Sequence, residues 1–106
     1  MIYKIRYLKP HFEEIINNLR KKNKSMYNRL MKKIDLVVHN PKTIGHPLRY
    51  NLRGMWETHV ANHYVLIYHI DEKNMIIRLV YFDEHDHALK SVSITIPYLM
   101  EDLLKI

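Results

Sequence analysis

Five of the eight histidines in this sequence, His46, His59, His63, His85 and His87, fall where strands are expected to end or turns to begin. Imidazole titrates near neutral pH, so two rings brought together can accept and donate a proton in one bond-breaking step. Strand ends and loops are also where scaffolds commonly hold working groups. Arg49 and Arg53 lie in a stretch that alternates apolar and polar residues, and a strand there would send both guanidinium groups to one face. A guanidinium fork matches phosphate oxygens and stabilises charge building up on a phosphorane. Histidines beside arginines therefore point to cleavage at a phosphate, although each of these side chains could equally be an exposed, solubilising one. An all-histidine metal site built from His59, His63, His85 and His87 lacks the carboxylate or cysteine that would complete a recognised motif. No metal or other cofactor is assigned.

The elements that must position these groups follow from periodicity. Ile2 to Leu8 alternates as a half-buried strand does, and Pro10 ends it. Phe12, Ile15, Ile16 and Leu19 then recur at helical spacing, which predicts a first helix from Pro10 to Lys22. With Ser25 as its N-cap, a second helix carries Tyr27, Leu30, Met31, Ile34, Val37 and Val38 as an apolar stripe. Its opposite face and the preceding turn collect Arg20, Lys21, Lys22, Lys24, Arg29, Lys32 and Lys33, and Asn40-Pro41 closes the hairpin. From Leu48 the period becomes two. Leu48, Tyr50 and Leu52 predict a second strand, Gly54 a tight turn, and Trp56, Thr58 and Val60 a third strand. Tyr64 to Ile70 is apolar on both sides, as a central strand is, and after Asp71–Asn74 the run Met75 to Phe82 closes the meander. The polar segment Asp83–His87 follows, and Pro97 to Ile106 is expected to form a short helix. The class is α+β: an N-terminal strand, a helical hairpin, and an antiparallel meander of three to four strands, with the hairpin on one sheet face and the other face solvated or functional.

Composition limits what this arrangement can be. The 106 residues suit one domain, 1–106, with no linker or repeat. There is no cysteine, hence no disulfide and no thiolate chemistry, and no apolar run approaches a membrane span, so a soluble cytoplasmic protein is expected. Seventeen Lys and Arg against eleven Asp and Glu give a net charge of +6, which favours a polyanion or an acidic protein as partner.

The segment from His46 to Leu89 resembles the RelE/ParE toxin superfamily, especially its YafQ-like and archaeal RelE-like members. The residues that carry the resemblance are His46-Pro47-Leu48, Leu52-Arg53-Gly54-Met55-Trp56, His59-Val60, Tyr64-Val65-Leu66-Ile67-Tyr68 and Phe82-Asp83-Glu84-His85-Asp86-His87. The resemblance implies a RelE-like fold and the toxin of a type II toxin–antitoxin system. It implies an endoribonuclease, usually ribosome-dependent and metal-independent, that cuts mRNA and is neutralised by a cognate antitoxin. His46, His59 and His85 match histidines of YafQ-like toxins, and His63 falls where they have a catalytic aspartate. Tyr64 replaces their tryptophan, Leu89 falls near a position they fill with an aromatic, and Glu57 stands where arginine is frequent. On this basis His85 is expected to be the general acid, His63 or His46 the base, Arg53 with Arg49 the phosphate clamp, and His59 an orienting neighbour. Tyr64, His87, Lys32 and Lys33 are expected to add RNA contacts. A non-catalytic gyrase inhibitor of the ParE kind, or a homologue that only binds its antitoxin, are the alternatives. The antitoxin is expected to bring an acidic amphipathic segment over the basic face, and the Pro97–Ile106 helix either to pack beside the site, to be displaced by that partner, or to be ordinary core.

Overall fold

The structure, a computed structural model, describes residues 2–93. Its elements are β1 (Lys4–Tyr7), α1 (His11–Lys22), α2 (Lys24–His39), α3 (Pro41–Ile44), β2 (His46–Pro47), β3 (Met55–Ala61), β4 (Tyr64–Asp71) and β5 (Ile76–Glu84). A further helix, α4, occupies 85–93. The five strands form one sheet in the order β1-β5-β4-β3-β2. β1 runs parallel to β5, and the other neighbours are antiparallel.

Local chemistry explains the helical hairpin. α1 has Glu13 and Glu14 in its first turn and Arg20, Lys21 and Lys22 in its last, each sign placed against the opposite end of the helix dipole. Asn23 ends α1 and opens α2, where its side chain accepts a hydrogen bond from the Met26 N–H at 3.2 Å. The cap is therefore Asn23 and not Ser25. Asparagine caps at least as well as serine, and moving the start two residues earlier leaves Ser25 inside the first turn.

Phe12 of α1 and Leu30, Ile34, Val37 and Val38 of α2 are buried against the sheet. The face they cover is that of Thr58, Leu66 and Tyr68, whose residues share strand parity. Two side chains bind the α2–β2 connection to this face. The Tyr68 hydroxyl donates to the Pro41 carbonyl at 2.6 Å, and Thr58 Oγ1 donates to the Ile44 carbonyl at 3.2 Å. Burial pushes the Tyr68 phenol up, away from any titration near neutrality.

The opposite face carries Met55, Glu57, His59, Val65, Ile67 and His69. Sequence patterning left it solvated or functional, yet Met55, Val65 and Ile67 are completely buried, as are Ala88 and, to 1 %, Val92 of α4. The chain turns straight from β5 into α4, which lays its apolar side here. The sheet is thus covered on both faces, which is why β4 reads as apolar throughout.

One more expectation is corrected by the fold. The alternation from Leu48 to Leu52 is not a strand: β2 stops at Pro47 and Tyr50–Leu52 is a single 3-10 turn. Leu48 and Leu52 both pack inward across that turn, which mimics the period of a strand. Arg49 and Arg53 consequently do not share a strand face. Of the polar segment Asp83–His87, the first two residues end β5 and the other three open α4. The expected helix at Pro97–Ile106 lies outside the described residues.

Candidate active site

β3, its turn into β4, and the start of α4 bring three histidines together. A cavity of about 230 Å³ is lined by His59, Asn62, His63, Glu84, His85 and Asp86. The rings of His59 and His85 stack, 5.9 Å between centroids and 9° from parallel. The backbone N–H of His85 donates to the His63 carbonyl at 2.6 Å, which ties the first residue of α4 to the β3–β4 turn. Three residues separate His59 from His63 and over twenty separate them from His85, so sheet register and the β5–α4 junction, not local sequence, create this cluster.

Beneath it lies a carboxylate. Glu57 Oε2 is buried without a hydrogen-bond partner among the described residues, and the nearest opposite charge available to it is His85 Nε2 at 3.6 Å. On the other side of the same ring, Nδ1 is 3.2 Å from Asp86 Oδ1. A neutral imidazole has one donor and one acceptor, so only the imidazolium can donate toward both carboxylates. Glu57 dominates this pairing, since its side chain is 14 % exposed while that of Asp86 is 91 % exposed and its charge is screened. His46 stands directly across from Glu57 in the β2–β3 register, on the same sheet face and exposed.

The remaining candidates are elsewhere. His87 is exposed one half-turn along α4, with Nδ1 2.6 Å from Asp83 Oδ2. Tyr64 belongs to the helix-covered face and stacks on Phe82 at 5.7 Å, so its ring is turned from the histidines. Lys32 and Lys33 are on α2, across the sheet from the cavity. Arg49 and Arg53 flank the 3-10 turn before β3, and neither lines the cavity. Of the five histidines expected to converge, three line the cavity, and the arginines expected beside them do not. Among the described residues no group of three or more His, Cys, Asp or Glu could hold a metal ion, and no helix is long and apolar enough to cross a membrane.

No protein-family model matches the chain. A protein of Methanocaldococcus jannaschii named for a toxin, RelE4, is 30% identical over 81 residues, spanning 76% of this chain and 85% of that one. The chain belongs to the RelE/ParE toxin superfamily. The fold of this superfamily recurs in solved structures. The RelBE2 toxin–antitoxin complex of Mycobacterium tuberculosis superposes with a TM-score of 0.65 at 20% identity, covering 79% of this chain and 99% of that one. YafQ of Escherichia coli gives 0.62 at 22%, covering 80% and 96%. The RelE-type α+β architecture, with N-terminal strand, helical hairpin and meander, is thereby shared along most of the chain.

At the far end of the same RelE-type sheet a second polar cluster bears on stability. His69 is half-buried and its Nδ1 has no partner among the described residues. Burial lowers its pKa below 6.5, nearby Arg78 adds to the effect, and Asp71 opposes it. Asp71 is held down to about 2 by hydrogen bonds from the Asn74 side chain and backbone and by Arg78, whose Nη1 is 2.9 Å away. For both groups the unfolded chain takes up the proton first as pH falls. Stability is therefore complete above pH 6.5, declines below it as His69 protonates, and declines again between 3.8 and about 2 as Asp71 does. Thermal melts across pH should show both stages in the parent and only the lower one in His69→Gln. Identical profiles for the two proteins would exclude His69 as the source.

Proposed function

We propose that this chain is the toxin of a type II toxin–antitoxin system and an endoribonuclease that cuts mRNA, with the ribosome as the setting of the reaction. The observation that carries this reading is the cavity in which His59, His63 and His85 meet over the buried Glu57 carboxylate. In the proposed reaction a base removes the proton of a ribose 2′-hydroxyl, whose oxygen bonds to the adjacent phosphorus. The bond from phosphorus to the 5′-oxygen breaks, and that oxygen takes a proton from the acid, leaving a 2′,3′-cyclic phosphate and a 5′-hydroxyl.

His85 is the acid in this scheme. It is the only ring of the three flanked by carboxylates at both nitrogens, and His59 holds its plane by stacking. His63, at the cavity edge, or His46, across from Glu57, is the base. With no guanidinium lining the cavity, imidazolium charge is the nearest cation for the phosphorane. Arg49 and Arg53 are left to hold the RNA strand outside the reacting phosphate, with His87 an exposed contact beside it. Lys32, Lys33 and Tyr64 lie on the wrong side of the sheet to take part.

The proposed partner is a cognate antitoxin with an acidic segment. The net charge of +6 supports this, as does the outer edge of β1, along which Ile2, Ile5 and Tyr7 are exposed. The Mycobacterium RelBE2 structure and a DinJ–YafQ structure from Escherichia coli are both toxin–antitoxin complexes. A cytoplasmic location follows from this reading.

The test is to incubate the purified protein with programmed ribosomes and mRNA and map 5′ ends by primer extension. Cuts phased with codons, lost when the ribose 5′ to the cut is 2′-deoxy, are expected. Intact RNA under these conditions, with inhibition of gyrase supercoiling instead, would replace this reading by the non-catalytic one.

A further inference from the structure

The 3-10 turn between β2 and β3 presents a feature that the cavity does not use. Tyr50 is 90 % exposed and sits at φ 58, in the left-handed region. A single exposed aromatic is unremarkable by itself. This one is also held in a backbone conformation that costs a non-glycine residue about 1 kcal/mol or more. Folding gains nothing from the ring, and the turn would form more easily with glycine. Neither burial nor backbone preference accounts for a tyrosine here.

The turn is rigid. Leu48 N–H donates to the Met55 carbonyl at 2.8 Å, Leu52 N–H to Arg49 at 3.1 Å, and Arg53 N–H to Tyr50 at 3.1 Å. Leu52 is 8 % exposed and plugs the turn into the core. The ring is thus exposed on a turn whose two flanking residues, Arg49 and Arg53, are exposed as well, and among the described residues neither arginine pairs with a carboxylate. A solvent-exposed aromatic ring on a turn that also carries two exposed arginines combines the two elements that bind single strands, a face for an unstacked base and cations for its phosphates.

We propose that Tyr50 is a stacking platform for an unpaired base of single-stranded RNA, with Arg49 and Arg53 on the phosphates to either side. This rests on RNA being the ligand, as proposed above. The turn lies beyond the Met55 end of β3, and the histidines at the other end are four strand residues further on, roughly 13 Å. The stacked base is therefore not the one at the cut. Tyr50 sets grip and register on the strand and takes no part in proton transfer.

The experiment uses the full chain and a fluorescein-labelled 12-nucleotide single strand of 2′-O-methyl RNA, which cannot be cut, with anisotropy as the readout at low salt. Tyr50→Gly and Tyr50→Ala should bind about tenfold more weakly, Tyr50→Trp as well as the parent, and Arg53→Gln should flatten the salt dependence by about one unit of slope. Tyr50→Gly should at the same time melt no lower than the parent, because the left-handed backbone suits glycine. A structural role for the ring would give the reverse pair of results. Parent binding that Tyr50→Gly leaves unchanged overturns the stacking proposal alone. A parent that binds no single strand overturns the stacking proposal too, while the ribonuclease reading stands or falls separately, on cleavage of mRNA in programmed ribosomes.

Discussion

Replacing His85 with alanine is expected to lower RNA cleavage by about two to three orders of magnitude, the usual worth of a positioned proton donor. The fold should hardly register the change, since the ring is partly exposed and alanine has a high intrinsic helix propensity. Glu57→Gln should act in the same direction with a smaller effect, about tenfold. Glutamine keeps the shape and fills the same buried space but removes the charge 3.6 Å from Nε2, so the rate of the chemical step should fall while the apparent affinity for RNA stays. Asp86→Asn should change little, because that carboxylate is almost fully in water. The measurement is single-turnover cleavage at matched melting temperature. A His85→Ala protein that cuts as fast as its parent would remove this ring from the mechanism, and an Asp86→Asn effect larger than that of Glu57→Gln would reverse the ranking of the two carboxylates.

The order of helices and strands was legible because burial has one period on a helix and another on a strand, and long segments such as α2 and β4 repeat it often enough to be unambiguous. Three apolar residues at Leu48, Tyr50 and Leu52 are too few. A 3-10 turn whose first and last leucines face inward gives the same alternation, and only the exposure of Tyr50 tells the two apart. The histidines His59, His63 and His85 were legible as candidates from type and position. What sequence could not supply was their depth relative to charge. Glu57 alternates with Trp56 and Thr58 as any solvated residue of a strand would, and only the fold shows that it is largely buried and that His85, at the start of α4, lies against it. One signal pointed to it: Glu57 is two residues before His59, hence on the same face. The guanidinium clamp failed for a related reason, since the shared face of Arg49 and Arg53 depended on a strand that the chain does not form.

Gly45→Ala is expected to destabilise the protein by about 3 kcal/mol, a large part of the 5–15 kcal/mol available to a domain of this size. The reason is not backbone freedom, because Gly45 is at φ −105 and ψ 178, where any residue fits. An added Cβ would overlap the Tyr68 hydroxyl and stand 2.8 Å from its ring carbon Cζ and 3.0 Å from the Glu57 carbonyl. Tyr68 is fully buried and cannot swing away, and moving its hydroxyl breaks the bond to Pro41. Overpacking of this kind costs about 1–3 kcal/mol, and an orphaned buried hydroxyl about as much again. Urea denaturation should show the loss, and Tyr68→Phe in the same protein should recover part of it by removing the oxygen that collides. The double substitution would then cost less than the sum of the two single ones. Strict additivity would mean that the crowding is relieved elsewhere, by a shift of α3 and β2. That alternative has its own signature: His46 follows Gly45 directly and lies against Glu57, so a shifted β2 would lower cleavage in the Gly45→Ala protein even where it is fully folded.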